Sequence, residues 1–238
     1  MSGFSKRYIQ KIFKEQTGMN ISTYIKRRRL TQAAILIKLT KKSLYHIAMD
    51  LNFSTQQALT RAFLREFNVT PLHFRNSDFF DYSRLLANWT VRLCDYSIKK
   101  TQTPSLKLNV KSFYFYIPLL SGSSTRVNKL RLLEVNNIIS NNKDAVIVTC
   151  LEPNSKYEDL VRLNTRIGFK DEENYNFVTT GVTSWEVSFL GSWEDYVKFG
   201  RFFMLELEFY SSMYFIEIIQ ACRINENSYN VKIYLPAE

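Results

Sequence analysis

Apolar positions in the first 77 residues recur at helical spacing. Leu44, Ile47, Ala48 and Leu51 follow i, i+3, i+4, i+7; Leu59, Ala62 and Phe63 begin the pattern again, with Glu66 at its fourth place. The spacing predicts a short helix from Leu44 to Leu51 capped by Ser43. A tight turn at Asn52-Phe53-Ser54 follows, then a second helix from Thr55 to Phe67, capped by Ser54 or Thr55. Asn52 suits a left-handed turn position. Gln56, Gln57, Thr60 and Arg61 fall on the polar side of the second helix, so the unit reads as a helix-turn-helix. Upstream, residues 21–39 lack Gly and Pro and predict one long helix.

The same signal occurs twice, fifty residues apart. Ile9 matches Leu59, Lys11 matches Arg61, Phe13 matches Phe63, Met19 matches Val69 and Tyr24 matches Phe74. The first copy turns Arg7, Gln10 and Lys11 outward and Ile9, Ile12 and Phe13 inward. The helix that should precede it is missing, because the chain starts at Met1, so these three apolar side chains are expected to lie open.

From about residue 78 the period shortens and aromatic residues crowd in. Strands are predicted over 89–98, 112–119, 145–151, 177–182, 185–190 and 231–235. Helices are predicted over Thr125 to Ile139 and over Trp193 to Glu208, the latter capped by Ser192 with Glu194 and Asp195 in its first turn. The organisation is thus an all-α helix-turn-helix domain, residues 1–77, followed by an α+β domain, residues 78–238, with mainly antiparallel sheet.

Charge sharpens this division. Residues 1–77 carry 14 Lys and Arg against three acids, +11; residues 78–238 carry 18 against 19, −1. A basic head on a neutral body points to a polyanion, and the plain alternative is a solvated basic face. Within the head, Lys26-Arg27-Arg28-Arg29 could contact phosphates or form internal ion pairs. The outer face of the second helix narrows the polyanion to duplex DNA. Gln pairs with adenine N6 and N7, Arg with guanine O6 and N7, and the Thr methyl packs on thymine.

Other chemistries find no support. Cys94, Cys150 and Cys222 are scattered and odd in number, which suits a reducing cytoplasm. With two histidines and seven glycines, no metal cluster, phosphate loop or nucleophile elbow stands out, so no catalytic residue, metal or cofactor is expected. No secretion signal is visible. The most apolar stretch, Phe202 to Ile219, is interrupted by Glu206, Glu208 and Glu217, so no membrane association is expected.

The strings Ala33-Ala34, residues 44–53, Gln56-Gln57, Thr60-Arg61-Ala62-Phe63, Phe67 and residues 70–75 resemble the AraC/XylS family of bacterial regulators, in its MarA/SoxS/Rob branch. The resemblance implies two helix-turn-helix subdomains joined by a long helix, with recognition helices in adjacent major grooves. It implies DNA contacts from Arg7, Gln10, Lys11, Gln56, Gln57, Thr60 and Arg61, with Arg28 on phosphate. Two departures stand out: Asn52 where the family commonly has Gly, and the absence of its first two helices. The body resembles the gyrase-inhibitor-like module of Rob-type regulators, chiefly at residues 185–189 and 229–236. This implies an effector domain with an apolar, aromatic-lined cleft from Trp185, Phe189, Trp193, Tyr196, Glu206 and Tyr234. Each aromatic could equally be ordinary core. A buried, unpaired Glu206 would favour cationic apolar ligands. The resemblance further implies an activator of stress or multidrug-resistance genes that meets RNA polymerase. The competing reading is a ligand-binding or protein-interaction protein whose truncated head no longer binds DNA specifically.

Overall fold

The computed structural model describes residues 5–77, 84–86, 96–118, 125–153, 160–199, 214–222 and 227–237. The head is helical: α1 (Lys6–Thr17), α2 (Ile21–Leu39), α3 (Leu44–Asp50), α4 (Gln56–Phe67) and α5 (Pro71–Asn76). Four of the five begin at a hydroxyl. Ser5, Ser43, Thr55 and Thr70 each accept a hydrogen bond from the backbone N–H three residues on, satisfying a donor that the first turn leaves unpaired. Pro71, at the first position of α5, has no N–H to satisfy. The core is built on α2, whose Leu30, Ala33, Ala34 and Ile37 are enclosed together with Ile47, Ala48, Leu59, Phe63 and Phe74. The small Ala33 and Ala34 allow close helix approach, and each large side chain withdrawn from water contributes about 1.5–3 kcal/mol.

Among the described residues, the body is one sheet with two helices. Its elements are β1 (Tyr96–Gln102), β2 (Lys107–Pro118), α6 (Thr125–Ile139), β3 (Ala145–Pro153), β4 (Leu160–Lys170), β5 (Phe177–Val178), β6 (Thr183–Ser192), α7 (Trp193–Phe199), β7 (Tyr214–Ala221) and β8 (Ser228–Pro236). Every pairing is antiparallel, in the order β1-β6-β8-β7-β3-β4-β2-β5. Two β-α-β-β units, β2-α6-β3-β4 and β6-α7-β7-β8, meet where β3 pairs with β7. One sheet face packs Ile147, Val187, Phe189, Ile219, Val231 and Ile233 against Val135 of α6 and Trp193 and Tyr196 of α7. The other face buries a smaller cluster: Leu108, Val110, Val146, Val148, Ile216 and Tyr234. Gly168 is required by strand approach, since a Cβ there would fall 1.9 Å from the Asn109 carbonyl oxygen.

Several expectations need correction. β4 was not anticipated, although Val161, Thr165 and Ile167 alternate inward along it. β7 was not anticipated either. The strand expected over 177–182 is only Phe177–Val178. The strand expected over 89–98 appears as Tyr96–Gln102, with 89–95 outside the described residues. The helix expected to reach Glu208 is described over Trp193–Phe199, and its remainder lies outside the described residues.

Candidate nucleic-acid interface

The turn before α4 forms as the sequence indicates. Asn52 adopts φ 55°, and the Phe53 N–H donates to the Ala48 carbonyl at 2.8 Å. Arg29 of α2 holds this turn. Its Nε donates to the Leu51 carbonyl at 2.6 Å, a terminal nitrogen reaches the Asn52 carbonyl, and the guanidinium lies 4.5 Å from the Phe53 ring centroid. Arg27 Nε pairs with Glu66 Oε1 at 2.6 Å, tying α4 to α2. On α4 itself, Leu59 and Phe63 are wholly buried, Gln56, Gln57 and Arg61 are exposed, and Thr60 is half-buried. The side chains proposed to read bases therefore share a free face on a helix held from behind.

The fifty-residue repeat is structural as well as sequential. α1 and α4 each span 12 residues at an offset of 50. Gly18 (φ 73°) ends α1 where Asn68 (φ 58°) ends α4. Phe13 meets Tyr24 edge-on with centroids 5.2 Å apart; Phe63 meets Phe74 at 5.3 Å. The offset superposes Arg7 on Gln57, Gln10 on Thr60 and Lys11 on Arg61, and all three first-copy residues are exposed. Lys11 lies 3.9 Å from Glu15, an exposed pair that contributes little. Ile9 and Ile12 remain open, 41% and 39% exposed, whereas Phe13 is half-buried against Tyr24.

The basic run on α2 resolves largely in favour of internal contacts. Arg28, expected on phosphate, is half-buried and donates to the Leu86 carbonyl. Burial lowers its pKa, and Tyr24 acts in the opposite direction. Arg27 also donates to the Arg84 carbonyl at 3.4 Å, while Lys26 is exposed. Residues 84–86 form a strap across the head: the Leu86 N–H donates to Thr31 Oγ1 at 2.8 Å, Arg84 donates to the Glu66 carbonyl at 3.2 Å, and Leu85 is buried.

The candidate ligand residues of the body do not gather in one cleft. Phe189, Trp193 and Tyr196 are buried together on the helical face, with Trp185 partly buried beside them. Tyr234 belongs to the opposite face, where it hydrogen-bonds Glu186; β-strand alternation separates it from the others. Burial, then Glu186, pushes the Tyr234 phenol up to about 12. Burial opposes the charge on Glu186, yet hydrogen bonds from Tyr234 and Lys99 and the charges of Lys232 and Lys99 hold it below the usual carboxylate range. Glu206 lies outside the described residues.

Sequence reasoning used Glu217 only as a break in an apolar stretch; it is a carboxylate in the apolar strand YFIEIIQA and only 1% exposed. Its oxygens accept from Arg131 at 2.6 and 2.7 Å, and from the Tyr196 hydroxyl. Desolvation lowers the Arg131 pKa, but Glu217 and Tyr196 outweigh it and the pKa rises. A single acid in an otherwise apolar strand was the available signal. Among the described residues, no group of three His, Cys, Asp or Glu could hold a metal, and no helix is long and apolar enough to cross a membrane.

Comparison with known proteins agrees with the geometry of the head. Residues 1–77 match the helix-turn-helix domain family. The HTH-type transcriptional regulator YkgA of Escherichia coli K12 is 32% identical over 173 residues, covering 70% of this chain and 71% of that protein. The F1 operon positive regulatory protein of Yersinia pestis is 41% identical over 135 residues, covering 54% and 44%. The transcriptional regulator Rob of Salmonella typhimurium is 34% identical over 106 residues, covering 44% and 36%, so the chain spans little more than a third of that relative. On the helix-turn-helix match and the extent of the likeness to YkgA, the chain belongs to the AraC/XylS family of DNA-binding transcriptional regulators.

Proposed function

We propose that this regulator reads specific duplex sequences chiefly through α4, with α1 as a weaker second reader in the neighbouring major groove. The supporting observation is the coincidence of the outward residues of α1 and α4 under the fifty-residue repeat, on the most basic part of the chain. Gln56, Gln57, Thr60 and Arg61 contact base edges; Arg7, Gln10 and Lys11 add contacts from α1. Arg28 supports the fold of the head, and Lys26 takes the phosphate role first given to Arg28. Residues 78–238 form the effector domain, which takes an apolar small molecule or docks a protein.

The protein acts without catalysis, in the cytoplasm, as an activator that engages RNA polymerase at stress or multidrug-resistance promoters. The activating role is supported by the name of the Yersinia pestis relative. Fluorescence anisotropy of the full chain on a labelled duplex tests the DNA role. The expected result is a log–log salt slope of about −0.9 per phosphate contact and a selected motif that changes when Arg61 is replaced. Binding that ignores salt would overturn the DNA reading, and an unchanged motif would remove α4 from base recognition.

A further inference from the structure

The two edges of the sheet differ in what they offer. β1, at one end, carries Lys99 and Lys100 in its middle, and charged side chains of this kind discourage further strand pairing. At the other end, β5 covers β2 only at Lys107 and Leu108 among the described residues. Beyond that point β2 runs Lys111-Ser112-Phe113-Tyr114-Phe115-Tyr116-Ile117, with one charge in seven residues. The direction of its backbone follows from Asn176. The Val110 N–H donates to Asn176 Oδ1 and Asn176 Nδ2 donates to the Val110 carbonyl, each at 2.9 Å, on the side away from β4. Alternation along an antiparallel ladder then turns the N–H and C=O of Ser112 and Tyr114 to the same outer side. Both residues are exposed, Tyr114 at 54%. Only another extended strand satisfies such a row.

The ends of this open row indicate which strand. At one end Asn176 already occupies Val110; at the other Pro118 has no N–H to donate. The two stops lie equally far from Tyr114. If β2 meets its own copy antiparallel with Tyr114 opposite Tyr114, Val110 falls opposite Pro118, so the groups that do not pair face each other. The same register sets Phe113 opposite Phe115, continuing a stack already present within the strand, where these rings lie 6.0 Å apart and 4° from parallel. Lys111 falls opposite Ile117, so no like charges meet. Tyr114 is held in place by the Arg162 guanidinium, 4.6 Å from its ring centroid.

We propose that a second copy of this chain pairs with β2, joining two sheets antiparallel across a two-fold axis at Tyr114. This goes beyond the DNA reading and does not depend on what the effector domain binds. Sedimentation of the full chain across the micromolar range is expected to show a concentration-dependent dimer. The axis makes Tyr114 its own neighbour, at a Cα separation of about 5.5 Å. Tyr114→Lys and Tyr114→Glu each set like charges face to face, and each is expected to weaken the dimer at least about tenfold. An equal mixture of the two is expected to dimerise again, and thermal melting confirms that both fold.

Tyr114→Cys provides a second measurement that leaves charge unchanged. Mild oxidation is expected to link it into a covalent dimer, whereas the unsubstituted chain and Lys111→Cys are expected to stay unlinked. A chain that remains monomeric throughout overturns the proposal and leaves the edge to a strand of another protein. A dimer that both charged variants retain places the interface elsewhere and also overturns it. So does a mixture that fails to recover, or a folded Tyr114→Cys that does not link.

Discussion

α1 and α4 are each 12 residues long, begin at a hydroxyl cap and end on a left-handed residue, yet no residue of α1 is buried while Leu59 and Phe63 of α4 are fully enclosed. The difference separates two causes of structure. Caps and turn residues set backbone shape locally, so both copies form the same helix. Burial needs a second surface. α2, α3 and α5 provide it for α4, whereas α1 packs chiefly on α2, with Phe13 against Tyr24. Ile25 adds a further exposed apolar side chain beside an open depression lined by Gln10, Asn20, Ile21 and Ser22. A helix with so few enclosed contacts opens at lower free energy than one in the core.

Substitution at equivalent positions tests this contrast most strongly. Leu59→Ala is expected to lower stability in urea by about 2–5 kcal/mol, and Ile9→Ala by less than about 1 kcal/mol. Equal losses would mean that α1 is packed in solution as firmly as α4. Recognition should follow the same asymmetry. Arg61→Ala should weaken binding to the preferred duplex by about 1–3 kcal/mol and relax one or two base positions, with Lys11→Ala costing clearly less in the same anisotropy titration. A larger effect at Lys11 would reverse the assignment of primary reader.

The helix ends separate local from global stability. Gly18→Ala places a Cβ in a left-handed conformation at a strain of about 1–2 kcal/mol. Because α1 is weakly anchored, the change should appear as faster amide exchange along α1 with little shift in global unfolding. Asn68→Ala should instead lower global stability; identical responses would merge the two halves into one cooperative unit. Arg28→Ala should reduce stability by about 1 kcal/mol and leave the selected DNA motif unchanged. A loss of DNA affinity at full stability would return Arg28 to the phosphate backbone.

Local rules made much of the head legible. The bounds expected for the long helix coincide with α2, Ser43 and Thr55 cap as anticipated, and Asn52 takes the left-handed turn. Each depends on residues within a turn or two in sequence. The role of Arg28 depends on a carbonyl 58 residues away, and a run of charges gives no sign of that contact. In the body, the bounds of α6 were legible from its periodicity. β4 was missed although Val161, Leu163, Thr165 and Ile167 alternate with Arg162, Asn164 and Arg166, the period expected of a half-buried strand. Grouping Tyr234 with Trp193 failed because their positions on opposite sheet faces follow from strand register rather than from aromatic composition.

The strap formed by Arg84–Leu86 bears on where the head can be separated from the rest of the chain. The charge step falls at residue 78, but Thr31 and Arg28 find hydrogen-bond partners at residues 84–86, and Arg27 gains a second one there besides Glu66. A fragment ending at Ser77 would leave the Thr31 hydroxyl enclosed without that donor and two guanidinium groups without those carbonyls, and it would uncover the apolar surface beneath Leu85. A portable DNA-binding module, for fusion or transplantation, therefore has to run through Leu86.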